Sequence, residues 1–173
     1  MPGSLGHLSS RFFDVLLSRR LDTAERATVE TWLTPDLAEV FFAQSGADQR
    51  HGYEAGLYVI AAGAEPDLVV AAVMHDVGKR AANLGIVSRV VASLFIMAGL
   101  PLTPRMQLYR DHGMTAAAEL AALGAPPLAI DFALHHHYER PSSISPGTWD
   151  LLVLADQPKT AHRKRVGISS IAR

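Results

Sequence analysis

Cysteine is missing from all 173 residues. Disulfides, thiolate metal sites and a cysteine nucleophile are therefore excluded. Aromatic side chains make up only 7% of the chain, and no stretch shows the strict apolar–polar alternation of a half-buried strand, so a sandwich or barrel is disfavoured. Neither sign of charge dominates. Sixteen Lys and Arg stand against 17 Asp and Glu, a net charge of -1, which gives no global pull toward nucleic acid or a membrane. No apolar run reaches bilayer length. The most apolar one, VVASLFIMAGL at residues 90–100, is bounded by Arg89 and Pro101 and is expected to be core or a dimer face. The opening stretch MPGSLGHLSSRFFDVLLSRR lacks a basic start ahead of a long apolar core, so no signal peptide is expected and a cytoplasmic location follows by default. Neither a Gly-rich phosphate loop nor a GxSxG elbow occurs, which removes support for kinase-like and serine-hydrolase chemistry. Internal repeats and low-complexity segments are absent too.

The chain is 49% hydrophobic and rich in alanine, enough for one helical domain with a sizeable core. The fold class is all-α, a compact bundle of eight or nine helices. Phe12, Phe13, Leu16 and Leu17 recur at helical spacing over residues 9–20. Asp22 or Thr23 caps a second helix to about Leu33, and Thr34-Pro35-Asp36 starts a third. Asp48 opens a helix through about Ala62, with Gly63 behind it. Pro66-Asp67 begins a helix that ends in AAVMHDVGKR. Further helices are expected over 86–99, from Asp111 to Leu123 ahead of Gly124, from Pro126-Pro127 to a run of three histidines, and over 147–157. PLTP and ERPSSISPG read as breaks. The layout is N-terminal helices over residues 1–46, packed through Val40, Phe41 and Phe42, a core over 47–160, and a basic tail over 161–173.

His75 and Asp76 stand at the end of an apolar helix, where an unpaired carboxylate is costly to bury and a cation would offset that cost. They are not alone. His51 lies 24 residues before His75, His112 lies 36 after Asp76, and His135, His136 and His137 follow. Asp156 closes the apolar segment LLVLAD. Imidazoles and carboxylates carried on several helices can surround two divalent cations, and a shared carboxylate suits a bridge.

The ordered set H…HD…H…HH…D, with HDVGK at residues 75–79, resembles the HD-domain superfamily of metal-dependent phosphohydrolases, in particular short stand-alone bacterial members. The similarity spans about Asp48 to Gln157. It implies that His51, His75, Asp76 and Asp156 hold a first metal. It implies that Asp76 bridges to a second, held by His112 and two adjacent histidines. Those are either His135 with His136 or His136 with His137, and the third is expected to stand behind the ligands or in solvent. Lys79 matches the family's lysine and would face a phosphate oxygen; its bland alternative is a solvated lysine at a helix end. The resemblance implies two divalent ions (Fe, Mn, Ni, Zn or Mg) and a small phosphorylated substrate of nucleotide type. No nucleic-acid or membrane partner is implied, and a homo-oligomer is compatible. The GYP signature of cyclic-dinucleotide enzymes is replaced by ERPSSISPG, and Tyr138 separates the histidines from Glu139. The same fold hosts di-iron oxygenases with four histidines and two aspartates, and metal-bound interaction modules without catalysis; these are the alternatives. Arg89 is expected to pair with a carboxylate such as Glu54. Arg110 and Arg140 either guide phosphate or are solvated. His7 and His162 are expected at the surface.

Overall fold

A computed structural model of the chain describes residues 19–157. Of the helix expected over 9–20, only Arg19 and Arg20 fall among the described residues, and neither is helical. His7, His162 and the basic tail lie outside them. The described residues are all-helical, with no strand. In chain order the helices are α1 (Thr23–Trp32), α2 (Pro35–Phe42), α3 (Gly46–Ala61), α4 (Pro66–Met74), α5 (Lys79–Ala82), α6 (Ile86–Met97), α7 (Pro104–Arg110), α8 (His112–Ala122), α9 (Pro127–His135) and α10 (Pro146–Ala155).

The punctuation follows local chemistry. Asp22 closes a full capping box with Glu25 at the start of α1, satisfying amides that have no helical partner. Thr34, Ser45, Thr103 and Ser145 each accept a backbone N–H from the first turn that follows. Pro sits at the first helical position of α2, α4, α7, α9 and α10, where its missing N–H costs nothing. Several boundaries differ from the sequence reading by one or two residues, and two differences have a local cause. Helix α3 starts at Gly46 rather than Asp48, because the Ser45 hydroxyl caps it and Asp48 lies inside the first turn. Helix α7 was not foreseen: Thr103-Pro104 repeats the cap-and-proline signal of Thr34-Pro35 but sits inside PLTP, which reads as a break.

Helix α4 is the axis of the fold. Every residue from Val69 to Met74 is buried, and α1, α3, α9 and α10 pack round it. Phe41, Phe132, Leu37, Leu120, Leu152 and Ile144 are the large side chains that fill the space, each contributing about 1.5–3 kcal/mol by leaving water. Phe41 is fully buried, and Val40 and Phe42 pack beside it against the same core. Helix α6 is the exception to core burial. Ala92 is its one buried residue, so the apolar run at 90–100 is not core. Among the described residues no single helix is long and apolar enough to cross a membrane; the residues from Pro66 to Ala82 pass the test only jointly with α6, at a bend of 93°.

Close backbone approach fixes the helices that carry the histidines. A Cβ at Gly78 would stand 2.0 Å from the His112 carbonyl oxygen, and one at Gly113 would stand 2.6 Å from that of Ala133. Glycine is thus required for space at both positions, and each lies next to the site residues. Two substitutions should therefore differ in sign. Gly78→Ala should destabilise the chain by about 1–3 kcal/mol through overpacking. Gly147→Ala, in the first turn of α10 with open space around it, should stabilise by about 0.5–1 kcal/mol through lost unfolded-state entropy. Urea denaturation of the two variants measures both; equal effects would mean that α5 and α8 do not touch at Gly78.

Candidate metal centre

Three helices end at one place. His75, His136 and Asp156 are the C-terminal caps of α4, α9 and α10. The partial negative charge of each C-terminus, about half an elementary charge, favours a cation there. His51 reaches the same place from the middle of α3, and His112 from the first turn of α8.

The imidazoles are held by one repeated device. His75 Nδ1 is 2.9 Å from the Ala72 carbonyl, His136 Nδ1 is 2.9 Å from that of Ala133, and His112 Nδ1 is 2.7 Å from that of Tyr109. All three carbonyls belong to the last turn of a helix, where oxygens lack helical partners. A carbonyl cannot donate, so Nδ1 carries the proton in each ring. In the neutral ring Nε2 is then a bare lone pair, the ligand form.

Those lone pairs meet carboxylate oxygens. Asp76 is buried, and its two oxygens face different ways. Oδ1 lies 3.1 Å from His112 Nε2 and 3.5 Å from His136 Nε2. Oδ2 lies 3.5 Å from His75 Nε2 and 3.8 Å from His51 Nε2, and it receives the Lys79 ammonium. Asp156 Oδ1 completes the second side at 3.0 Å from His51 Nε2 and 3.2 Å from His75 Nε2. His137 Nε2 completes the first at 3.2 Å from His112 Nε2. Two groups result, Asp76, His112, His136 and His137 on one side and His51, His75, Asp76 and Asp156 on the other, each able to hold a metal ion. Asp76 belongs to both.

Charge decides what can sit there. Protonating all five imidazoles, with Lys79, would set six positive charges against two carboxylates within a few ångströms. The buried Nε2 of His136 has no hydrogen-bond partner. Lone pairs directed at carboxylate oxygens repel unless a cation lies between them. Ligand bonds of about 2.0–2.1 Å put neighbouring donors about 3–3.5 Å apart, and the spacings here bracket that range. The donor set of imidazole nitrogen and carboxylate oxygen suits Zn, Fe, Mn or Ni. The residues therefore fit divalent metals.

The same contacts shift the protonation of the site's groups. Burial pushes the Asp76 carboxyl up, but Lys79 first, then His75 and the His112 and His136 contacts, hold it well below the ordinary carboxylate range. Burial is also what depresses His112, more than its contact with Asp76 raises it. His137 is exposed as a residue, yet its ring tip is partly enclosed; desolvation, followed by charge on His136 and His112, pushes it down to about 3.

The triple histidine is resolved geometrically. His136 and His137 join the cluster, whereas His135 is the last residue of α9 and belongs to neither group. Of the two pairings left open, the one that brings His136 and His137 to the cluster is the one the geometry favours, and His135, included among the expected ligands, stands outside both groups. The remaining expected residues, His51, His75, Asp76, Lys79, His112 and Asp156, come together. Arg89 does not pair with Glu54. Its Nη1 lies 2.7 Å from Asp48 Oδ1 and its Nε donates to the Leu84 carbonyl at 3.0 Å, which ties α6 to the start of α3. Arg110 pairs with Asp111 at 2.7 Å, and Arg140 donates to the Ile144 carbonyl. A cleft of about 260 Å³ adjoins the His112 side, bounded by Lys79, His112, His137, Tyr109, Tyr138 and Ile96 among others. No family model, curated protein or solved structure matches the chain.

Two outcomes follow. Elemental analysis of the purified variants should find that Asp76→Ala loses most bound metal, His137→Ala loses about one ion per chain, and His135→Ala keeps the parental content. A drop for His135→Ala with none for His137→Ala would reverse the register. The second concerns pH. Asp76, His112 and His137 all hold protons less tightly folded than unfolded, so the unfolded chain takes up more protons as pH falls. The stability of metal-stripped protein should be greatest above the ordinary imidazole value of 6.5 and decline steadily below it, as melting temperature across pH 7.5 to 4.5 would report. A flat profile would mean that the rings are not held neutral.

Proposed function

We propose that the chain is a metal-dependent phosphohydrolase of the HD type, acting on a phosphate ester at a binuclear centre. The observation that carries the reading is the division of the Asp76 carboxylate, one oxygen toward His112 and His136, the other toward His51 and His75. A carboxylate shared in this way suits the paired-cation arrangement of phosphoryl-transfer enzymes. When bound, a pair of divalent cations supplies a water deprotonated near neutral pH and a positive field for the phosphate oxygens.

The chain's own residues supply the rest. His51, His75 and Asp156 would hold one ion, His112, His136 and His137 the other, and Asp76 both. The proton on Nδ1 of His75, His112 and His136 is donated to a backbone carbonyl, which keeps each ring in one tautomer and one orientation. Lys79 stands at the opening of α5 with its ammonium against Asp76 and its chain on the wall of the cleft. From there it can neutralise charge that develops on a phosphate oxygen. No side-chain nucleophile is required. The apolar walls of α4 and Phe132 on the opposite side keep bulk water from the buried ligands, which strengthens each electrostatic contact.

The test is turnover by metal-reconstituted protein. Phosphate monoesters and diesters should be hydrolysed without oxygen uptake, and Lys79→Ala should lower kcat by about 10²-fold while metal content stays at the parental level. Oxygen consumption without phosphate release would support the di-iron oxygenase alternative instead. An unaltered rate in Lys79→Ala would return that lysine to a structural role.

A further inference from the structure

Helix α6 is apolar round most of its circumference and yet largely uncovered. Val87, Val91, Leu94 and Met97 are 71%, 37%, 41% and 42% exposed. Its one charged side chain, Arg89, turns toward Asp48. The helix also forms a wall of the cleft beside the metal centre, through Ser93 and Ile96. Val90 and Met97 lie three residues before Ser93 and four after it, on the same stripe. Leu94 is one step of about 100° further round. The cleft wall therefore runs into the exposed apolar face at Met97 and Leu94, while Arg89, one turn before Ser93, is engaged by Asp48. The cleft is lined by the site residues Lys79, His112 and His137, by Ile96 and the rings of Tyr109 and Tyr138, and by Arg110, which is paired with Asp111. A ligand that fills both parts is anionic at one end and apolar at the other.

We propose that the substrate is an amphiphilic phosphate ester, with its phosphate at the His112–His137 end and its alkyl chain laid over Met97, Leu94 and Val90 of α6. This rests on the hydrolase reading above. In the reaction the oxygen of water joins phosphorus, the bond from phosphorus to the alkyl oxygen breaks, and the proton of water ends on the released alcohol. Along the wall that α6 gives the cleft a polar sugar or base would find only Ser93; the other polar groups of the cleft away from the metal centre are the two tyrosine hydroxyls and Arg110, whose guanidinium is paired with Asp111. A face serving solely as a contact between copies would have no need to continue into the cleft. Continuity with the reactive end is what favours the substrate's own tail as its cover.

The experiment is calorimetric binding of n-alkylphosphonates, ethyl to decyl and below their micelle concentrations, to manganese-loaded full-length protein. Dissociation constants should fall about two- to fourfold per added methylene, so by at least about 60-fold over the six methylenes between ethyl and octyl. Leu94→Ser with Met97→Ser, which adds no charge, should flatten the series and leave the affinity for inorganic phosphate unchanged. A flat series in the parental protein would overturn the proposal. So would a flat series accompanied by conversion of a dimer to a monomer in the double variant, read by sedimentation, which would assign the face to a second copy. Hydrolysis of n-alkyl phosphates is followed separately. Length-dependent binding without turnover would uphold the amphiphile site and contradict the hydrolase reading alone; turnover of short esters with a flat series would do the reverse.

Discussion

A single buried carboxylate organises this protein. Asp76 sits at the end of the most buried helix, with imidazole lone pairs directed at each of its oxygens and an ammonium against one of them. Burying such a charge without compensation would cost several kcal/mol. Lys79 offsets part of that cost, and divalent cations shared with the histidines would offset the rest. The helices are arranged to hold those cations. The C-termini of α4, α9 and α10 converge on it, α3 brings His51 alongside, and the break between α7 and α8 frees the Tyr109 carbonyl to orient His112.

The packing and the chemistry use the same residues. Gly78 and Gly113 each lie one or two positions from a candidate ligand, and each lets two backbones touch where a side chain would hold them apart. The contact between α5 and α8 at Gly78 sets the distance from Asp76 to His112. The contact between α8 and α9 at Gly113 sets the distance from His112 to His136. Stability and ligand geometry are therefore coupled, and damage to one of these contacts would be felt in both. Phe132 shows the same economy: it is fully buried core and stacks at a tilt on both His75 and His136, with ring centroids 5.7 and 5.8 Å away.

Much of this was legible in the sequence. Cap residues and prolines mark most helix starts, and helix-borne histidines with two aspartates, ordered as H…HD…H…HH…D, point to a shared site. What could not be read depends on where a helix stops in space. Whether His135 or His137 joins His136 turns on the chain leaving helical geometry after His135, which no spacing rule encodes. The partner of Arg89 could not be read either. Asp48 and Glu54 lie on one helix, and only the crossing of α3 and α6 selects Asp48. Helix α7 hid behind a proline pair that looked like a break. Composition does not tell a buried stripe from an exposed one, so only the exposure of α6 removes core from the two readings of its apolar run.

If Asp76 divides its two oxygens between two cations, anomalous diffraction from crystals of protein loaded with manganese should show two peaks about 3.5–4 Å apart, one among Asp76, His112, His136 and His137, the other among Asp76, His51, His75 and Asp156. A single peak, or peaks that leave Asp76 bound through one oxygen only, would contradict that division.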